Sequence, residues 1–241
     1  MNNQDDNKLN PGEGNLISVR NLSKTFALGK NIEAPALRGV SFDVARGDFL
    51  SITGHSGSGK TTLLNLIGIL DEPSGGEILI NNKNIHKLKE KEKVNFRLKF
   101  VSFVFQFYNL INNYTALDNI AFPLRLQGRG YRESRDKARE IINFLGLAER
   151  ADFYPSMLSG GEQQRIAVGR ALVKDSMIIL ADEPTAHLDT KNGKNILSLL
   201  RKINTEFNRT IILVSHEMEY AKLADKMIVL KDGQVLETKD L

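Results

Sequence analysis

Cysteine is absent from all 241 residues. That excludes disulfides and thiolate-ligated zinc, and it is compatible with a reducing compartment. Long hydrophobic runs are missing as well. The densest, LLNLIGIL at 63–70, contains Asn65 and falls well short of the roughly 18 to 20 residues that span a bilayer, so a chain that does not cross a membrane by itself is expected. No signal-peptide pattern opens the sequence: MNNQDDNKLNPGEGN is polar and rich in Asn, Gly and Pro, which reads as a disordered lead-in over 1–15 and implies residence in the cytosol. An excess of one charge is lacking too, since 33 Lys and Arg stand against 29 Asp and Glu, a net charge of +4. Such a balance permits contact with nucleic acid or an anionic membrane without requiring either. KLKEKEKVNFRLK at 87–99 is the densest basic stretch, but Glu90 and Glu92 interrupt it and make it a solvated, mixed-charge surface; no nucleic-acid partner is expected.

What is present is the composition of a globular chain, with 41% hydrophobic and 26% charged residues, long enough for one substantial core. LISVRNL at 16–22 and VSFDV at 40–44 alternate apolar and polar residues as half-buried antiparallel strands do, and EILINNKNI after the turn SGGE reads as another strand with a polar break. DFLSITG at 48–54, SMIILAD at 176–182 and TIILVSH at 210–216 are apolar almost throughout. Strands of a parallel sheet covered on both faces look like this. Between the last two, Ile196, Leu199, Leu200 and Ile203 recur at helical spacing. MIVL, KDGQ and VLETK make a hairpin signal, with Asp232 and Gly233 at the turn. From about 86 to 160 the pattern becomes helical, and Ala138, Ile141, Ile142 and Leu145 form one apolar face. The expected fold is therefore α/β: a mainly parallel sheet with an N-terminal antiparallel β-subdomain and an inserted α-helical subdomain, as one unit over 16–241.

GHSGSGKT at 54–61 matches G-x-x-x-x-G-K-[ST] between an apolar strand and a helix. Glycines at 54, 57 and 59 let successive N–H groups point inward at phosphate oxygens, and the helix start adds a favourable dipole. Gly54, Ser56, Gly57, Ser58, Gly59, Lys60, Thr61 and Thr62 are thus candidates for nucleoside-triphosphate binding, with Lys60 reaching the β and γ phosphates and Thr61 offering its hydroxyl to Mg²⁺. His55 occupies a variable position and receives no role. MIILADE at 177–183 ends a buried strand on two acids. Asp182 is placed for the Mg²⁺ shell and Glu183 for polarising an attacking water, which points to hydrolysis. LSGGEQQR at 158–165 opens with a capping box, Ser159 to Glu162, but adjacent glycines are costly in a first helical turn unless something approaches the backbone closely.

Together these three motifs resemble those of the nucleotide-binding subunit of an ATP-binding cassette (ABC) transporter, in the family's order from about Leu16 to Glu237. The resemblance implies an Mg²⁺-dependent ATPase working as a dimer, in which Ser159, Gly160 and Gly161 contact the γ phosphate of ATP held by another subunit. It implies that Gln106, after FVSFVF, touches Mg²⁺ or the attacking water, and that His216 contacts the γ phosphate and orients Glu183. Phe26 resembles the aromatic that stacks on adenine; read without the family it is a core Phe. Asp189 resembles the aspartate that communicates across the dimer. The family usually has a small residue where this chain has His187, which is expected to point to solvent and matter little to hydrolysis. LNLIGILDEPSGGEILINN, FVFQFYNL, the FPL at 122–124 and ILADEPTAHLDT are most similar to the branch of lipoprotein-releasing and macrolide-exporting ATPases. That likeness implies a separate membrane permease, met around Gln106 to Arg129, where Phe107, Tyr108 and Leu110 are either a docking surface or core. Soluble family members acting on ribosomes or DNA are tandem or split cassettes, unlike this one. A regulatory cassette of the cell-division type is not separated from an exporter by sequence.

Overall fold

The computed structural model describes residues 14–29 and 32–241. Of the expected disordered lead-in, residues 1–13 lie outside the described residues, and Asn15 already begins the first strand.

Two sheets divide the strands. β1 (Asn15–Gly29), β2 (Ile32–Ala45), β4 (Gly75–Ile80) and β5 (Lys83–Asn84) form an antiparallel sheet in the order β2-β1-β4-β5. The polar break expected in EILINNKNI is a two-residue turn: Asn81 and Asn82 have φ of 50° and 60°, the pair of positive values that joins twisted strands tightly. The second sheet runs β10-β9-β3-β8-β7-β6. β3 (Phe49–Thr53), β6 (Val101–Val104), β7 (Ile178–Asp182), β8 (Thr210–Val214) and β9 (Lys226–Lys231) are parallel, and β10 (Gln234–Asp240) returns antiparallel across the Asp232-Gly233 turn.

Why the central strands are apolar throughout is visible in the two cores. Ile179, Ala181, Ile211 and Leu213 face a core shared with the helices, whereas their neighbours Ile178, Leu180, Ile212 and Val214 face a core shared with the antiparallel sheet. Alternate side chains leave a strand on opposite faces, and here both faces are covered.

α1 (Lys60–Ile67) packs into the second core through Leu63, Leu64, Leu66 and Ile67. At its other end His86 Nε2 lies 2.9 Å from the Leu66 carbonyl while Nδ1 meets Glu72 at 3.0 Å, tying the helix to the β-subdomain. α2 (Glu90–Phe100) carries the mixed-charge stretch; one of its lysines, Lys93, is buried between Glu72 and Glu90 rather than solvated. α3 (Ala116–Leu126), α4 (Tyr131–Phe144) and α5 (Gly160–Leu172) pack together, with Ala138, Ile141, Ile142 and Leu145 buried as expected. In α6 (Thr190–Phe207) Leu197 is fully buried while the expected Leu199 is only partly covered, because the buried face, Gly193, Ile196, Leu197, Leu200, Ile203 and Asn204, leaves Leu199 at its edge. α7 (Met218–Ala221) is a single turn. The helical stretch expected over 86–160 is interrupted: β6 lies inside it and pairs with β7, so α2 and α3–α4 sit on either side of a strand of the main sheet. Four residues of strand between two helices are too few for a periodicity to register.

Candidate functional site

Four adjacent parallel strands, β3, β8, β7 and β6, end on the same side of the sheet, and the candidate residues follow directly from those ends. Ligands of open α/β sheets bind in this position. After β3 comes the phosphate loop, 54–59. Gly59, at φ 101°, sets the last turn before α1; a Cβ there would lie 2.6 Å from the Ala36 carbonyl oxygen, so only glycine fits. The N-cap of α1 has no capping side chain and its first turn has no acid, leaving first-turn N–H donors for an anion. Ser58 Oγ is buried in the loop without a partner among the described residues. Lys60 is 4% exposed and its ammonium donates to the Gly54 and His55 carbonyls at 2.9 Å each. Burial lowers its pKa, opposed by the charges of Glu183 and Asp182. Ser56 and the glycine at 57 are exposed at the loop tip, and Thr62 is half-buried one residue past Thr61.

Thr61 Oγ1 donates to Asp182 Oδ1 at 3.2 Å. Burial pushes the Asp182 carboxyl above its ordinary range; the Thr61 hydrogen bond opposes this and the Glu183 charge adds to it. Asp182 is paired with Val214 across β7 and β8, which brings the two following loops side by side. Glu183 N donates to the Val214 carbonyl at 3.0 Å, and Glu183 Oε1 meets His216 Nε2 at 2.5 Å. Glu183 takes a φ of 46°, a left-handed conformation costly for a residue with a side chain and held here by these contacts. Phe26 is 39% exposed under the ammonium of Lys24, 4.8 Å from its ring centroid, so it is not a core residue. It pairs with Ala34, two residues before the Ala36 carbonyl that touches Gly59, which puts the ring on the hairpin bordering the phosphate loop.

Ser159 caps α5 with a complete capping box. Its N–H and hydroxyl both donate to Glu162 Oε2 at 2.8 Å, Glu162 N–H donates back to Ser159 Oγ at 3.4 Å, and Arg150 braces Oε1 at 2.9 Å. These bonds hold the Glu162 carboxyl at about 2, the Ser159 N–H being the largest cause. The close approach expected at the glycines is found within the chain: a Cβ on Gly160 would lie 2.6 Å from the Tyr108 hydroxyl, and one on Gly161 2.9 Å from Asn192 Oδ1. Among the described residues the hydrogen bonds of Ser159–Gly161 and of the phosphate loop share no residue. Asp189 is spent locally, capping α6 through Asn192 N at 2.8 Å and Asn192 Nδ2 at 2.7 Å, bonds that lower its pKa.

Gln106 follows β6, and its amide nitrogen lies 3.3 Å from His187 Nε2. His187 is exposed, as expected, but its ring is turned onto the chain instead of to open water, with the Phe107 centroid 4.7 Å away. Phe107 is 64% exposed, while Tyr108 and Leu110 are partly buried. One residue escaped sequence reasoning. Gln164 is fully buried and donates to the carbonyls of Pro184, at 2.7 Å, and Phe105, at 3.3 Å, joining α5 to the loops after β7 and β6. Its helical spacing with Gly161 and Val168, both buried, was the available signal.

Residues 37–186 match the family model described as ABC transporter. The chain belongs to the ABC transporter family. It is 43% identical over 224 residues to an uncharacterised ABC transporter ATP-binding protein of Methanocaldococcus jannaschii, covering 91% of this chain and 95% of that one. Identity is 39% over 225 residues with the lipoprotein-releasing system ATP-binding protein LolD of Colwellia psychrerythraea, 93% and 87% of the two chains. With the macrolide export ATP-binding/permease protein MacB of Brucella abortus it is 41% over 221 residues, 92% of this chain but 34% of the relative. The ABC cassette also superposes on a solved dimeric structure of the ATP-binding cassette MJ0796 in a post-hydrolysis state with ADP and Pi, with a TM-score of 0.86 at 41% identity, covering 93% of this chain and 98% of that one. The protein is thus an ABC ATPase with the expected α/β fold. The family match spans the phosphate loop, Gln106, LSGGEQQR and Asp182–Glu183, and stops short of Asp189 and His216.

Proposed function

We propose that the cassette binds ATP in the phosphate loop and hydrolyses it as a homodimer that drives a separate membrane permease. The observation that carries the reading is the convergence of Lys60, Asp182, Glu183, His216 and Gln106 on the carboxyl ends of four neighbouring strands. Loop N–H groups and the start of α1 take the phosphate oxygens, and Lys60 exchanges its two loop carbonyls for them. Phe26 stacks on the base. Glu183 orients the attacking water and draws its proton, and His216, bonded to the same carboxylate, keeps that carboxylate aimed.

Thr61, Asp182 and Gln106 suit Mg²⁺. All three present oxygen, and the half-buried Asp182 carboxyl, with one 3.2 Å hydrogen bond and a second acid beside it, is raised above its ordinary range despite the charge of Lys60. The bound ion neutralises charge on the phosphate oxygens. Ser159, Gly160 and Gly161 reach the ATP of the partner subunit, and Asp189 communicates across the dimer beside them, since it binds Asn192, the residue a Cβ on Gly161 would touch. Two features support the dimer: the absence of a hydrogen-bond link between LSGGEQQR and the phosphate loop within one chain, among the described residues, and the dimeric cassette on which the chain superposes.

No described helix is long and apolar enough to cross a membrane. MacB is named an ATP-binding/permease protein, of which this chain spans a third, and LolD an ATP-binding protein, of which it spans most. We infer a separate permease chain, with the cassette held by it at the cytoplasmic face and the force used for export or lipoprotein extraction. The test is the association state of Glu183→Gln protein by size-exclusion chromatography with light scattering, against Glu183→Gln with Ser159→Arg. Dimerisation of the first with ATP and failure of the second are expected. A Glu183→Gln protein that binds ATP and stays monomeric would overturn the homodimer.

A further inference from the structure

His187 lies four residues beyond Glu183, in a loop whose backbone is held in place. Ala186 N–H donates to the Glu183 carbonyl at 3.2 Å and Leu188 N–H to the Thr185 carbonyl at 3.0 Å. The Pro184 carbonyl is anchored on buried Gln164. From this base the imidazole crosses to the loop after β6, where it contacts Phe107 and the amide nitrogen of Gln106.

In the structure the carboxamide nitrogen of Gln106 faces the ring, and a carboxamide nitrogen only donates, so the imidazole Nε2 accepts and the ring proton sits on Nδ1. While the ring keeps that tautomer, turning the amide over would set its oxygen against the bare Nε2 lone pair, so the oxygen is the end left for the ligand side. A metal ion, or the hydrogens of a water molecule, need that oxygen and are repelled by NH₂.

We propose that His187 is a positioning residue for ATP hydrolysis, holding the Gln106 amide so that Oε1 is presented to the phosphate site. The proposal rests on the reading of Gln106 as a contact of the metal or the attacking water. It gives the exposed edge of the loop pair a role parallel to that of Gln164. Gln164 joins the same two loops from beneath, through Phe105 and Pro184, and His187 joins them at the surface, at the residues that face the ligand. A side chain that merely packed on Phe107 would need no acceptor atom.

Three variants separate these roles. His187→Phe keeps a ring against Phe107 and removes the acceptor; His187→Gln offers an oxygen at about the reach of Nε2; Gln106→Ala removes the group being positioned. Losing one hydrogen bond predicts a kcat for ATP hydrolysis lowered roughly three- to ten-fold in His187→Phe, with KM for ATP unchanged, and largely restored in His187→Gln. Adding His187→Phe to Gln106→Ala should change nothing further. In ligand-free protein with the ring neutral, NMR should show His187 as the Nδ1–H tautomer, and the Gln106 side-chain NH₂ resonances should move in His187→Phe and stay near their wild-type positions in His187→Gln. An Nε2–H tautomer, or Gln106 resonances indifferent to His187→Phe, overturns the proposal, as does a His187→Phe loss that persists in the Gln106→Ala background. If Gln106→Ala hydrolyses ATP like wild type, the role of Gln106 falls and this inference with it. If Gln106→Ala is impaired while His187→Phe is not, the inference falls alone.

Discussion

α1 and α5 both begin at glycines that suggest an anion site, yet their N-caps are in opposite states. α1 starts from Gly59, which brings no side chain, and no acid stands in its first turn, so its N–H donors await a ligand. α5 starts from Ser159, whose Oγ takes the Glu162 N–H and whose own N–H and hydroxyl are held by the Glu162 carboxylate, itself braced by Arg150. The difference teaches that a glycine-rich helix start offers its cap to an anion only when nothing local occupies that cap. At α1 one chain suffices. At α5 a phosphate gains the Ser159 hydroxyl only if that hydroxyl leaves Glu162, which fits a contact made when a partner subunit delivers its nucleotide.

Gly59→Ala should break the comparison at α1 and have the largest effect. A Cβ 2.6 Å from the Ala36 carbonyl, on a residue at φ 101°, forces the loop out of shape. Stability should fall by roughly 2 kcal/mol or more. ATP affinity should drop by about 100-fold or more, of the order expected for losing two charge-assisted hydrogen bonds, as read by calorimetry. Ser159→Ala should act at α5 alone: about 1 kcal/mol of cap stability is lost, seen as a fall of about 2 to 4 °C in Tm, while ATP binding by the monomer stays at wild type and ATP-driven association weakens. A loss of monomer ATP binding would show that the two helix starts are not independent.

Glu162→Gln sharpens the comparison further, read as stability against pH. The folded carboxyl titrates at about 2 against an ordinary 4.5, so between those values the unfolded chain binds more protons. The contribution of the box is therefore complete above about pH 4.5 and is lost as the pH falls towards 2. Denaturant titrations across that window should show a shallower slope in Glu162→Gln than in wild type; identical slopes would mean that the box adds nothing beyond its neutral hydrogen bonds.

Much of the molecule was legible from residue order. The phosphate loop, the acidic end of β7, the capping box and the buried strands are each written within eight or fewer neighbouring residues. Backbone geometry at that scale demands particular side chains: glycine at a positive φ, an oxygen at a helix cap, unbroken apolar residues where both faces of a strand are covered. β6 was legible only as the apolar run FVSFVF ahead of Gln106, because four strand residues between helices carry too little period to mark a break in the helical stretch. Gln164 was hidden because a buried glutamine in a polar run looks like its exposed neighbour until its partners, Phe105 and Pro184, are in place.

His187 marks the boundary most clearly. Sequence alone pointed to an α/β ATPase cassette and named the residues proposed to handle phosphate, since those requirements are local. Only the tertiary structure decided that the loops after β6 and β7 meet, that an imidazole 81 positions away faces Gln106, and that Arg150 braces the Glu162 carboxylate of the capping box. Contacts of that kind depend on which strands pair, β6 with β7, and strand pairing is set by the packing of the whole chain, not by any one segment.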